Sequence, residues 1–173
     1  LVWVIATSIA FYGVKGGIFA LRTGLQWEVR GPPGSFIAGN NEIGFALLLV
    51  LPLLRFIQLQ LHKRWQKHAM TGAMVLCLFS IVTTYSRGAF LALAVAALYL
   101  VWKSRKRSTM LLLLVLVTPL LFTMLPEKWF DRMGTIHTYE EDKSAMGRIN
   151  SWWFAWNLAV DRPILGGGFN TFR

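Results

Sequence analysis

Long apolar runs separated by short polar or basic segments dominate the pattern along the chain. The run 109–125 contains no charged residue, and the run 69–102 contains Arg87 as its only charge. Runs of this length and composition are typical of helices that cross a membrane. In lipid the backbone finds no water, so a helix, which bonds its own N–H and C=O groups, is the expected structure. The sequence therefore predicts an all-α fold, a polytopic transmembrane helical bundle.

The run 69–102 is too long for one span. As a single helix it would measure about 50 Å at about 1.5 Å per residue, whereas the hydrocarbon core of a bilayer is about 30 Å thick. We therefore predict a helical hairpin that turns near residues 85–88. The whole pattern predicts about five spans, which cover residues 1–21, 41–61, 69–85, 88–102 and 109–125.

Composition and charge narrow the class of protein. Of the residues, 55% are hydrophobic and only 15% are charged, yet the formal net charge is +10. A disordered or nucleic-acid-binding protein would reach that charge with more Lys and Arg and fewer apolar residues, so we expect no nucleic-acid partner. The excess charge lies within residues 1–125, while the charges of residues 126–173 cancel.

Two short basic loops set the expected orientation. They lie at residues 62–68 and 103–107, on either side of the predicted hairpin. By the positive-inside rule both loops are cytoplasmic. The hairpin turn and residues 126–173 then lie on the outer face, and we interpret 126–173 as the start of a large outer loop.

Arg87 is the most informative single residue, because it lies at the outer end of the hairpin against the positive-inside bias. An Arg at the centre of a membrane helix costs about 2.5–3.5 kcal/mol on insertion scales, so we expect an anionic partner: an acidic side chain, a lipid phosphate or a substrate phosphate. An interfacial Arg that reaches the headgroups is an equally good interpretation. Glu42, with Asn40 and Asn41 at the outer end of the second span, is a candidate base or ionic partner, and helix capping explains all three equally well.

A second candidate lies in the outer loop, where residues 144–160 predict an amphipathic helix. Its apolar positions recur at helical spacing and include Trp152, which suits a helix lying on a membrane surface. Arg148 falls in the first turn, where free N–H groups also favour anions. The alternative is a plain interface anchor with a solvated Arg148.

Arg87 and Arg148 together suggest a clamp for a phosphate or pyrophosphate at the outer surface. Guanidinium binds such groups bidentately and keeps its charge. The sequence shows no acidic or His-rich metal-binding motif, so we expect no metal and no cofactor. The arginines would instead neutralise a departing phosphate.

The order of short motifs resembles the bacterial O-antigen ligase and O-antigen polymerase superfamily. The likeness lies in the segment 85–91, in Gly147-Arg148 followed by Trp152, and in the Gly-rich segment 161–169. The opening segments 11–17 and 31–36 look like the subgroup of exosortase A-associated O-glycosylation ligases.

The resemblance implies a multi-pass glycosyltransferase of the bacterial inner membrane with its active face in the periplasm. Such an enzyme takes a glycan from undecaprenyl pyrophosphate and passes it to lipid A-core, a protein hydroxyl or another glycan, among membrane lipids. The arginines of the family that contact the donor map onto Arg87 and Arg148. We place Trp152 and Glu42 beside them as substrate-binding candidates.

The family also uses a His that follows the Gly-rich segment, and this sequence ends at Arg173 before that point. His137 precedes the segment and does not match. The apolar start lacks the basic region of a signal peptide, so we interpret it as a truncated span. We therefore expect a fragment that is inactive alone.

Other functions stay open. A polymerase of the same superfamily would use the same donor with a glycan acceptor, and the short motifs do not separate it from a ligase. A transporter or a non-catalytic membrane protein that binds the lipid-linked glycan is a different class. No predicted span carries a carboxylate near its middle, which argues against a transporter.

Overall fold

A computed structural model describes residues 1–134, 143–164, 166–168 and 171. Every regular element among them is an α-helix, which confirms the all-α membrane bundle. The helices are α1 (Val2–Arg22), α2 (Asn40–Gln60), α3 (Arg64–Val82), α4 (Arg87–Lys103), α5 (Arg107–Met124), α6 (Glu127–Gly134) and α7 (Lys143–Asp161).

Within this described part, three helices are long and apolar enough to cross a membrane: α1, α2 and α5. The helices α3 and α4 occupy the region of the predicted hairpin, and the chain breaks between them at residues 83–86. That break falls at the start of the turn that the length argument requires. The membrane boundaries of residues 69–85 and 88–102 stay predictions.

The core forms where α1, α2 and α3 pack together, with the start of α4 against α2. It is built from apolar side chains at helical spacing on α2, including Ile43, Leu47, Val50 and Leu54. Cys77 and Ile81 of α3 and Ala6 and Ala10 of α1 complete it.

Glycines on α1 allow a close approach to α3. A β-carbon at Gly13 would lie 2.5 Å from Cys77 Sγ, and one at Gly17 would overlap the backbone carbonyl of Leu76. Small residues let helix backbones meet in a membrane, where packing rather than the hydrophobic effect holds helices together. The contact between α1 and α3 therefore depends on these two positions.

A polar contact joins α2 to α3 at the end opposite the 83–86 turn. Gln58 is buried, and its Nε2 donates to the Lys67 carbonyl and to Thr71 Oγ1, each at 2.7 Å. Because a buried amide without partners is costly, these bonds fix how α2 and α3 meet beside the first basic loop.

The chain forms two compact units, residues Leu1–Phe130 and Asp131–Arg173. The first holds α1 to α5 and the start of α6, and the second holds α7. Arg87 and Glu42 thus belong to the first unit, and Arg148 and Trp152 to the second.

Candidate functional site

The turn between α3 and α4 is buried along its whole length. Thr83, Thr84, Tyr85 and Ser86 are each at most 6% exposed. Tyr85 has a φ of 54°, in the left-handed region, and reverses the chain there. Ser86 then acts as the N-cap of α4, because its Oγ accepts from Ala89 N at 3.1 Å. Arg87 is therefore the first residue of α4.

The last carbonyl of α3 and the first two carbonyls of the turn receive donors from other parts of the chain. Trp129 Nε1 donates to the Val82 carbonyl at 3.2 Å, and Val29 N donates to the Thr83 carbonyl at 2.9 Å. Asn40 Nδ2 donates to the Thr84 carbonyl at 3.1 Å. A helix end leaves its final carbonyls without partners inside the helix. Here α6, the 23–39 loop and α2 supply these partners, so all three elements fix the turn.

Two further bonds hold the residues directly before Arg87. Ser86 Oγ donates to Asn41 Oδ1 at 2.5 Å, and the Tyr85 hydroxyl donates to the Leu25 carbonyl at 2.9 Å. Leu25 also has a positive φ, 63°. A left-handed non-glycine residue costs free energy and persists only where its surroundings hold it. The first turn of α4 is thus fixed relative to α2 and to the 23–39 loop.

The start of α4 also packs tightly on α2. A β-carbon at Gly44 would lie 2.7 Å from the Ala89 β-carbon and 3.3 Å from Thr84 Oγ1. Ala89 itself is fully buried. Because no larger residue fits at Gly44, the N-terminus of α4 stays close to the N-terminus of α2.

Arg87 is half-buried at the start of α4, which the contacts of the turn hold in place. The N-terminus of a helix carries a partial positive charge, so an Arg at the first position adds charge of the same sign. That combination is unfavourable for the helix alone and favourable for an anion held at its end.

Glu42 lies in the first turn of α2 and is exposed. Its carboxylate rests against Gly39, where a β-carbon would overlap Glu42 Oε2. The Asn41–Ser86 bond joins the residues that directly precede Glu42 and Arg87 in the chain.

The expectation that Asn40 and Asn41 cap α2 is wrong. Gly39 is the N-cap and has no side chain to make a cap bond, and both Asn side chains bond to the α3–α4 turn instead. Reasoning from the sequence missed that the side chains of Asn40 and Asn41 hold the turn directly before Arg87. A sequence signal for it exists in the paired Asn residues and in the polar segment 83–86 at the end of an apolar run.

In the second unit, α7 confirms the helix predicted over residues 144–160. Arg148 is exposed, and Trp152, four residues later, is 71% exposed. Trp153 and Trp156 are also exposed, so an aromatic face of α7 stays uncovered. Arg148 and Trp152 lie on one side of the helix because of their spacing.

The clamp of Arg87 with Arg148 stays a prediction, because the two residues belong to separate units. His137 lies outside the described residues. Where residues are described, no group of His, Cys, Asp or Glu is arranged to hold a metal ion.

The family model for O-antigen ligase matches residues 72–173, a range that includes both Arg87 and Arg148. No curated protein and no solved structure matches the chain. Because the family model covers more than half of its length, the chain belongs to the O-antigen ligase family and is a multi-pass membrane protein with an O-antigen ligase-type function.

Proposed function

We propose that the protein is a metal-independent glycosyltransferase that moves a glycan from undecaprenyl pyrophosphate to lipid A-core or a protein hydroxyl. The reaction takes place at the periplasmic face of the bacterial inner membrane. One observation carries this proposal: Arg87 begins α4 directly after a buried turn that three other elements hold in place. Such rigidity is what charge stabilisation in a transition state requires.

In the proposed reaction an acceptor hydroxyl oxygen attacks the anomeric carbon of the donor glycan. A new glycosidic bond forms, and the bond from that carbon to the pyrophosphate oxygen breaks. Undecaprenyl pyrophosphate leaves with the electron pair of that bond. Arg87 and Arg148 stabilise the negative charge that develops on it. Glu42, beside the Arg87 turn, is our candidate to receive the proton that the acceptor hydroxyl loses.

Trp152 supplies the glycan or lipid contact. Its indole is exposed on the same side of α7 as Arg148. An amphipathic ring beside a cation suits the boundary between lipid and water, where a sugar linked to a lipid phosphate lies.

The test uses the full-length protein in membranes that contain the undecaprenyl-linked donor. We expect Arg87→Ala and Arg148→Ala to lower glycan transfer by about 100-fold, the loss typical of one removed charge-stabilising donor. Arg22→Ala is the matched control, because Arg22 is an exposed cation at the end of α1. Transfer by either site variant at the level of the control would contradict the proposal. Transfer to a growing glycan alone would assign the protein as a polymerase.

A further inference from the structure

An open cavity of about 440 Å³ lies between α1 and residues 28–33. On the α1 side it is lined by Tyr12, Lys15, Gly16 and Phe19. These residues are spaced by three and four positions, so they form one face of the helix.

The walls of this cavity are fixed. Val29 is bonded through its N–H to the Thr83 carbonyl, and Gly31 N donates to the Ala38 carbonyl at 3.0 Å. A β-carbon at Gly16 would lie 2.8 Å from Val29 Cγ1, so glycine is what lets the loop cross α1 so closely. The cavity is thus formed before any ligand arrives, as is usual for binding sites.

Charged residues line both walls of the cavity. Lys15 comes from α1 and Arg30 from the loop, and Arg30 Nη2 lies 3.1 Å from Glu28 Oε2. The Glu28 carboxylate offsets one of the two cations, which leaves one positive charge. A phosphodiester carries a single negative charge and balances the site, whereas a pyrophosphate carries more.

The position of Lys15 along α1 indicates a lipid ligand. Lys15 precedes the end of the helix at Arg22 by about two turns, or about 10 Å. At that depth an ammonium extends toward the headgroups of the bilayer. Tyr12, Phe19 and the 62% exposed Phe11 offer apolar surface on the same helix.

We infer that this cavity binds the phosphodiester headgroup of an anionic phospholipid from the surrounding bilayer. Lys15 and Arg30 hold the phosphate, and Tyr12 and Phe19 lie against the glycerol and the upper acyl chain. The lining comes from α1 and residues 28–33, whereas Arg87 begins α4, and Val29 of the lining bonds to the turn before Arg87.

The test places the full-length protein in nanodiscs of phosphatidylcholine with a minority of phosphatidylglycerol. The protein is then released from the nanodiscs, and native mass spectrometry counts the phosphatidylglycerol molecules that stay bound to it. We expect Lys15→Gln and Arg30→Gln to retain several-fold less of it than the unaltered protein. Arg22→Gln, which removes a cation outside the cavity, should retain as much as the unaltered protein.

A gain-of-binding variant separates the proposal from misfolding. Glu28→Gln removes the offsetting carboxylate, so retention of phosphatidylglycerol should rise. Equal retention by all variants, or an equal loss in Arg22→Gln, would overturn the inference. Complete displacement of phosphatidylglycerol by an equal mole fraction of undecaprenyl phosphate would also overturn it, because the site would then belong to the carrier lipid.

Discussion

The Ser86 hydroxyl donates to Asn41 Oδ1 at 2.5 Å, so the residue directly before Arg87 is bonded to the first turn of α2. The same hydroxyl accepts from Ala89 N and caps α4. One side chain thus starts the helix that carries Arg87 and fixes where that helix begins.

A double-mutant cycle tests this bond. Ser86→Ala should cost about 0.5–2 kcal/mol of stability through the lost cap, and Asn41→Ala should cost about 1 kcal/mol through the lost hydrogen bond. Because the two residues contact each other, the double variant should lose less than the two single losses combined. Thermal unfolding in detergent measures the stabilities. Strict additivity would show that the two side chains do not interact.

Arg87→Lys tests whether a positive charge at this position is sufficient for glycan transfer. Lysine keeps the positive charge but loses the planar fork that binds phosphate oxygens in pairs. We expect the rate of glycan transfer to fall about tenfold or more. Arg22→Lys at the end of α1 serves as the control and should not alter the rate. A rate for Arg87→Lys equal to that of the unaltered protein would indicate a simple requirement for charge.

Trp129→Phe removes one of the three donors to the turn while keeping an aromatic ring. The ring centroid of Trp129 lies 5.1 Å from that of Phe90 and 5.8 Å from that of Phe122, contacts that phenylalanine largely retains. The Val82 carbonyl loses its indole donor, so we expect a loss of about 1–3 kcal/mol in stability. Trp152→Phe is the control. Trp152 is exposed, so this substitution should change stability by less than about 0.5 kcal/mol. Equal melting temperatures for the two variants would argue against the indole bond.

Two glycines should respond in opposite directions to the same substitution. Gly17→Ala places a methyl group against the Leu76 backbone and should cost about 1–3 kcal/mol. Gly72→Ala meets no atom within 4 Å and lies inside α3, so it should stabilise the helix by about 0.5–1 kcal/mol. Thermal unfolding of the two variants side by side checks this. A gain in Gly17→Ala would mean that α1 and α3 are less closely packed.

The orientation in the membrane is open to a direct test. A reporter fused after Lys106 should report a cytoplasmic position, because Lys106 lies in a basic loop, and one fused after Asp142 should report a periplasmic position. Alkaline phosphatase, which is active only outside the cytoplasm, is a suitable reporter. The reverse pattern would place Arg87 on the cytoplasmic side and remove it from the proposed reaction.

The helices were predictable from the sequence because membrane helices follow from local composition. The uncharged run 109–125 largely coincides with α5. The length of the run 69–102 required a break, and the break lies at residues 83–86. The unusual position of a charge at that end of an apolar hairpin was also visible in the sequence, and the structure places Arg87 at the start of α4.

The contacts that place Arg87 were not predictable. Asn40 bonds to a residue 44 positions away and Trp129 to one 47 positions away. Composition and spacing describe neighbours along the chain, whereas these bonds depend on how α2, α3 and α6 come together. An Asn pair at the start of a helix is readily interpreted as a cap, which is why the contact of Asn40 and Asn41 with the turn was missed.

The three donors to the turn are synthesised at different times during translation. Val29 and Asn40 precede α3 in the chain, so both are available when the carbonyls of Thr83 and Thr84 emerge. Trp129 follows α5 and reaches the membrane surface only after that helix has been inserted. Trp129 is therefore the last of the three donors to be synthesised, and a chain that stalls before α5 lacks the donor to the Val82 carbonyl.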